Sequence, residues 1–166
     1  MGPDMYLEGD IHVSDYTGWD DNGEKLPGPS DAEKCVPMLK ELLKRSDLPV
    51  DMTPSSITVR LAYWRKSNMI HNWFVQNVQG GDDECQRSYV TSEDIDTLYN
   101  LCEEVLNCGS DEVATKLLPP VAGFFFGATE IDDYYYDDVR YTRDVLKGII
   151  DQNLSNYLTI YYQASW

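Results

Sequence analysis

MTPSSITVRLAYWRKSNMIHNWFVQNVQGG, residues Met52 to Gly81, contains no Asp or Glu, although the 166-residue chain carries 29 acids against 13 Lys and Arg and a formal charge of −16. The stretch holds Arg60, Arg65, Lys66 and His71. Wound at about 100° per residue, it places Leu61, Trp64, Asn68, His71 and Val75 on one side and Tyr63, Ile70, Trp73 and Phe74 broadly opposite. The spacing predicts one helix from Val59 to Gln79, apolar on both flanks, centrally buried and ended by Gly80 and Gly81. The cations of the stretch then form a basic rod lodged inside an acidic protein.

Outward from that rod, Met5 to Val13 alternates as a strand does, and Gly18, Asp20, Asp21, Asn22, Gly23, Pro27, Gly28 and Pro29 mark a long loop. This loop, about residues 14–30, is expected to be the most mobile part. Ser30 or Asp31 can cap a helix to about Arg45, with Val36, Leu39, Leu42 and Leu43 along one side. After the central helix comes a short extended stretch near Tyr89. Thr91 or Ser92, with Glu93 and Asp94, then starts a helix whose stripe is Ile95, Leu98, Leu101, Cys102, Val105 and Leu106. Gly109 stops it, and Ser110 opens a short helix that ends before Pro119 and Pro120. Gly123 to Ile131, with Phe124, Phe125 and Phe126, reads as a buried strand. A last long helix follows from about Asp133 to Asp151, and Leu158 to Gln163 is β-prone. Segregated elements favour an α+β class. The expected architecture is a single compact domain, 1–166, with four or five helices around a small, mainly antiparallel sheet of the N-terminal, Phe124 and C-terminal strands.

A chain of this length buries roughly 70% of its unfolded surface and folds without staples. The charge disfavours direct binding of nucleic acid or of an anionic membrane, because phosphate contact needs Lys and Arg. It serves solubility, and it also suits a basic groove on another protein. Cys35, Cys85, Cys102 and Cys108 show no CxxC spacing and only two histidines accompany them, which argues against a zinc finger or ribbon. Neither a cleavable signal nor an apolar run long enough for a bilayer is evident, so a reducing cytoplasm is the expected compartment.

Two constellations carry chemistry. Arg65, Asn68, His71 and Asn72, on neighbouring turns of the expected helix, offer a guanidinium fork, an amide edge and a titratable imidazole to one anion or nucleobase. The same residues also fit a buried polar knot in which Arg65 pairs with Asp82, Asp83 or an acid of the last helix and His71 caps a carbonyl, since buried charges are normally paired. The second constellation is Asp132, Asp133, Tyr134, Asp137 and Asp138, with Glu130. Carboxylates interleaved with Tyr make a protein-binding face, and core packing with exposed tips is the plainer account. A hard cation wants clustered oxygens, but this spacing fits no loop signature and acids at a helix start are favourable alone, so no metal or cofactor is expected. Cys85 with His71 is the one plausible nucleophile and base couple, and a buried, inert Cys85 is the simpler expectation. P-loop, Rossmann and GxSxG patterns are absent.

Met1-Gly2-Pro3-Asp4-Met5-Tyr6-Leu7, Tyr63-Trp64-Arg65-Lys66, Asn68, Ile70-His71, Trp73-Phe74-Val75, Asn77-Val78-Gln79, Asp82-Asp83 and Cys85 together resemble a family of small acidic proteins encoded by bacteriophages and prophages. The resemblance continues through Leu117-Leu118-Pro119, Gly123-Phe124-Phe125-Phe126-Gly127, Tyr135-Tyr136 and Tyr161-Tyr162-Gln163-Ala164-Ser165-Trp166, and is weakest over residues 14–57. It implies a source and a class rather than a reaction: an accessory protein acting in the cytoplasm of a bacterial host. Joined to the charge, this leads to the expectation of a non-enzymatic protein that neutralises a host macromolecule, as a counter-defence inhibitor or nucleic-acid mimic. The partner would be a host protein with a basic surface, met by Asp132, Asp133, Tyr134, Asp137 and Asp138. The alternative is a pocket that sequesters or hydrolyses a small phosphorylated or nucleotide ligand on Arg65, Asn68, His71 and Asn72.

Overall fold

The computed structural model describes residues 3–44, 46, 52–122 and 129–165. In chain order these form β1 (Asp4–His12), α1 (Asp31–Leu42), β2 (Ser56–Arg65), α2 (Asn68–Asn77), β3 (Ser88–Tyr89), α3 (Ser92–Cys108), α4 (Asp111–Leu117), α5 (Asp133–Asp151) and β4 (Thr159–Ser165), with a 3-10 turn at Leu154–Asn156. The strands make one antiparallel sheet in the order β2-β1-β4-β3, and with five helices the fold is α+β. The chain groups into two compact units, Met1–Gly9 with Val59–Trp166, and Asp10–Thr58.

The helix expected from Val59 to Gln79 is instead a strand, a turn and a shorter helix. Residues 56–65 are rich in β-branched and aromatic types and alternate: Ile57, Val59 and Leu61 are partly buried between exposed Ser56, Thr58 and Arg60. The alternation then slips by one, so that Ala62 and Trp64 face inward while Tyr63 and Arg65 face out. Lys66 takes a left-handed φ of 63°, its amide donates to the Pro3 carbonyl at 3.1 Å, and Ser67 opens α2. Once inside α2 the expected burial holds, for Asn68, Met69, Ile70, His71, Trp73, Phe74 and Val75 are all buried. The basic rod is therefore dispersed: Arg60, Arg65 and Lys66 are exposed and His71 is buried.

Within the larger unit one core joins the inner face of the sheet to four helices. Met5 and Leu7 of β1, Trp64 of β2 and Ile160, Tyr162 and Ala164 of β4 alternate inward. They meet Ile70 and Phe74 of α2, Leu98 and Val105 of α3, Ala114 of α4 and Val139, Leu146 and Ile149 of α5. The Phe74 and Tyr162 rings stack at 4.0 Å, and the Trp64 indole N–H donates to Thr142 Oγ1 at 2.9 Å, so its one polar atom is satisfied. Thr91 and Asp94 close a capping box on α3, and Gly109 ends that helix at a φ of 58°.

In the Asp10–Thr58 unit, Ser30 and Glu33 form a second capping box, and α1 buries only Ala32. The loop of residues 14–30 carries an isolated bridge between Trp19 and Lys25, closed by Asp20, whose Oδ1 accepts from the amides of Asn22 and Glu24. The strand expected around Phe124 lies outside the described residues.

Candidate functional site

The four residues expected to share a helix face are not brought together as a set: three line one small cavity and Arg65 stands apart from it. Arg65 ends β2 and is exposed, and its nearest carboxylate is Asp4, at 4.0 Å, rather than Asp82, Asp83 or an acid of α5. Asn68, at the start of α2, is buried and accepts from the Val121 amide at 3.2 Å. Asn68, His71 and Asn72 line a cavity of about 90 Å³ together with Val75, Asp83 and Val121. Arg65 is not part of it. A space that small takes a few water molecules, well below the usual size of a ligand pocket.

His71 is locked from both sides instead of capping a carbonyl. Its Nδ1 is 2.7 Å from the Tyr162 hydroxyl and its Nε2 is 3.0 Å from Asp83 Oδ2. An ionised carboxylate only accepts, so Nε2 carries a proton, and in the neutral ring Nδ1 accepts from the Tyr162 hydroxyl. Burial holds the Tyr162 phenol far above its usual range, with Asp83 adding to the shift. Asp83 Oδ1 is buried, with no hydrogen-bond partner among the described residues. The couple of Cys85 and His71 gains no support, because both imidazole nitrogens already have these partners, and Cys85 is half-buried rather than enclosed.

The second constellation is assembled at the head of α5. Asp132 is the N-cap, its carboxylate accepting from the Tyr135 amide at 3.0 Å, and Asp133 begins the helix. Tyr134 projects into solvent, 81% exposed, while Tyr135 turns inward and donates to the Leu118 carbonyl at 2.9 Å. Asp137 is exposed and pairs with Arg140 one turn on. Asp138 is partly buried, which pushes its carboxyl up from the usual range against an opposing hydrogen bond with Ser67, with Asp137 and Asp132 adding to the rise.

Asp132, Tyr134, Asp137 and Asp138 line an open cleft of about 330 Å³ with Glu130, Tyr135 and Met69. Asp133 lies outside this lining, and the opposite wall is Arg65, Lys66 and Asn68. Residues read from sequence as two separate sites thus share one cleft. Lys66 had no assigned role, and the signal for it is faint: a polar Lys-Ser-Asn triplet between two apolar runs, where a turn brings the chain to the helix head. Among the described residues no three His, Cys, Asp or Glu side chains converge as a metal site, and no helix is long and apolar enough to cross a membrane. Comparison with known protein families, with curated proteins and with solved structures finds no match to this chain.

Proposed function

We propose that the protein is a non-enzymatic binding protein that captures and neutralises a host macromolecule with a basic surface, in the manner of a phage-type accessory or counter-defence inhibitor. The observation that supports this reading is the head of α5, where Tyr134 stands 81% exposed at the rim of the carboxylate-lined cleft. A Tyr ring held in water gains most from being covered by a partner whose rim is polar. Carboxylates around it steer a cationic surface into register, and the cleft accepts one Lys or Arg side chain as an anchor. A guanidinium placed there would relieve Asp138, whose burial is incompletely compensated. Arg65 and Lys66 on the far wall repel a second cation and so select orientation. The resemblance to phage and prophage proteins supplies the bacterial host. The small-ligand reading on the central helix has less support, because Arg65 belongs to a strand and His71 is already engaged.

The test compares two double variants with the same change of net charge. Asp133→Lys with Asp137→Lys alters the α5 head, whereas Asp96→Lys with Glu104→Lys alters exposed positions of α3. Recovery of a basic partner from bacterial lysate at low salt should be lost in the first and kept in the second, and raising salt should weaken it. Equal recovery by both variants would overturn the acidic-face reading.

A further inference from the structure

The sheet has a second face, where Asp4 and Glu8 of β1 flank Tyr6, the Tyr63 hydroxyl donates to Asp4, and Arg60 and Arg87 stand apart from the α5 head. Tyr6 of β1 and Tyr63 of β2 stand there with ring centroids 5.4 Å apart, and the Arg60 guanidinium lies over both, 4.9 Å from the first ring and 5.8 Å from the second. On the neighbouring strands Arg87 covers the ring of Tyr161 at 4.0 Å, and Tyr89 meets Tyr161 edge-on. The one-residue slip in β2 makes this possible, because it puts Arg60 and Tyr63 on the same side despite their odd spacing. Arg87 has Glu8 at 3.5 Å and Arg65 has Asp4 at 4.0 Å, but exposed Arg60 has no carboxylate within salt-bridge distance among the described residues.

We propose that this outer sheet face binds a nucleotide-like ligand, a planar aromatic ring carrying a phosphate. A guanidinium lying over tyrosine rings keeps its N–H edges available for a phosphate oxygen pair, and Arg does this where Lys cannot. Tyr63, 40% exposed beside Arg60, leaves ring surface on which a base can stack, since every base presents a π-surface. In a chain of charge −16 an unpaired guanidinium on aromatic rings is a local site for an anion, and long-range repulsion disfavours a polyphosphate strand. A single nucleotide is therefore the occupant expected. This inference is independent of the acidic head of α5, for it concerns other residues and an opposite charge.

Calorimetric titration of the full chain with adenosine 5′-monophosphate, adenosine, inorganic phosphate and an oligoadenylate strand tests it. The monophosphate should bind about ten-fold more tightly than adenosine or phosphate alone, as expected for one charge-assisted hydrogen-bonded contact. Arg60→Gln should reduce it to the adenosine level without changing the melting temperature, Arg60→Lys should recover only part, and Tyr63→Leu should weaken both nucleoside and nucleotide. Asp133→Lys with Asp137→Lys should leave nucleotide binding in place, which separates this site from the α5 reading. An oligoadenylate no tighter than the monophosphate identifies a free nucleotide as the source, and affinity that grows with strand length while still requiring Arg60 identifies a single strand. The proposal fails if none of the four probes binds at millimolar concentration, or if Arg60→Gln binds the monophosphate as well as the parent chain.

Discussion

Nδ1 of His71 lies 2.7 Å from the hydroxyl of Tyr162, and both side chains are buried to within a few per cent. The pair ties α2 to β4 through the Tyr162 hydroxyl and one of the two imidazole nitrogens, the other being held by Asp83. Tyr162→Phe keeps the stack on Phe74 but strands Nδ1 without its donor, so a loss of about 1–3 kcal/mol in denaturant-unfolding free energy is expected. The variant His71→Phe with Tyr162→Phe removes both partners and should cost less than the sum of the two single changes. A strictly additive cycle would show that the hydrogen bond contributes nothing.

Gly9 sits where β1 passes Leu158. A Cβ built there falls 2.8 Å from Leu158 Cδ1 and 3.2 Å from Leu158 Cβ. The methyl end can rotate away but the Cβ cannot, so Gly9→Ala is expected to destabilise by about 1–3 kcal/mol through overpacking. Leu158→Ala in the same chain removes the nearer clash and should return part of that loss in chemical denaturation. If Gly9→Ala alone melts like the parent, the strand has room that the geometry denies.

The parts of the fold that were legible from residues are those whose ends are chemically marked. α3 begins with Thr91 and Asp94 and ends at Gly109, and α5 begins with Asp132, each with one buried face that is apolar in α3 and apolar but for Thr142 in α5. β1 and β4 alternate cleanly. β2 was hidden because its alternation slips between Leu61 and Ala62, and because Leu61, Trp64, Asn68 and His71 happen to share a helical period across a turn. That turn is made by Lys66 at a φ of 63°, a residue type that does not announce a left-handed conformation as Gly or Asn does. Of the candidate site, the acids and Tyr134 were readable because they are consecutive in sequence. Arg65 was readable as a site residue, but that it and Lys66 form the opposite wall of this cleft was not, since only tertiary packing brings them to α5.

The partly buried Asp138 makes stability depend on pH in a defined direction. Its folded carboxyl titrates above the usual 3.8, chiefly through burial. A raised acid favours folding in its neutral form, so its contribution is fully present below 3.8 and is lost as pH rises through the folded value. Asp138→Asn keeps the shape without the charge. It should melt higher than the parent at pH 7, and the two should converge below pH 4 in thermal scans, within the usual carboxylate range. A lower melting temperature for the Asn variant at pH 7 would show that the Ser67 bond outweighs the burial.

Two thiols on α3 should behave oppositely. Cys108 is exposed at the end of the helix, whereas Cys102 is buried in the core and desolvation pushes its thiol up to about 12. Only the thiolate is nucleophilic, so at pH 8 a disulfide reagent should modify Cys108 within seconds to minutes and reach Cys102 only through unfolding. In a background with the half-buried Cys35 and Cys85 replaced by Ser, Cys108→Ser should delete the fast phase, and denaturant should expose Cys102. The same shift has an alkaline consequence: Cys102 supports folding as the neutral thiol, fully so below its ordinary value of 9.0, and that support is withdrawn as pH rises towards 12. Cys102→Ala should therefore lose stability at pH 7 from the cavity it leaves, yet show a flatter decline of melting temperature above pH 9 than the parent. Parallel declines in the two proteins would assign alkaline unfolding to the buried phenols of Tyr135 and Tyr162, both raised by burial, and not to this thiol.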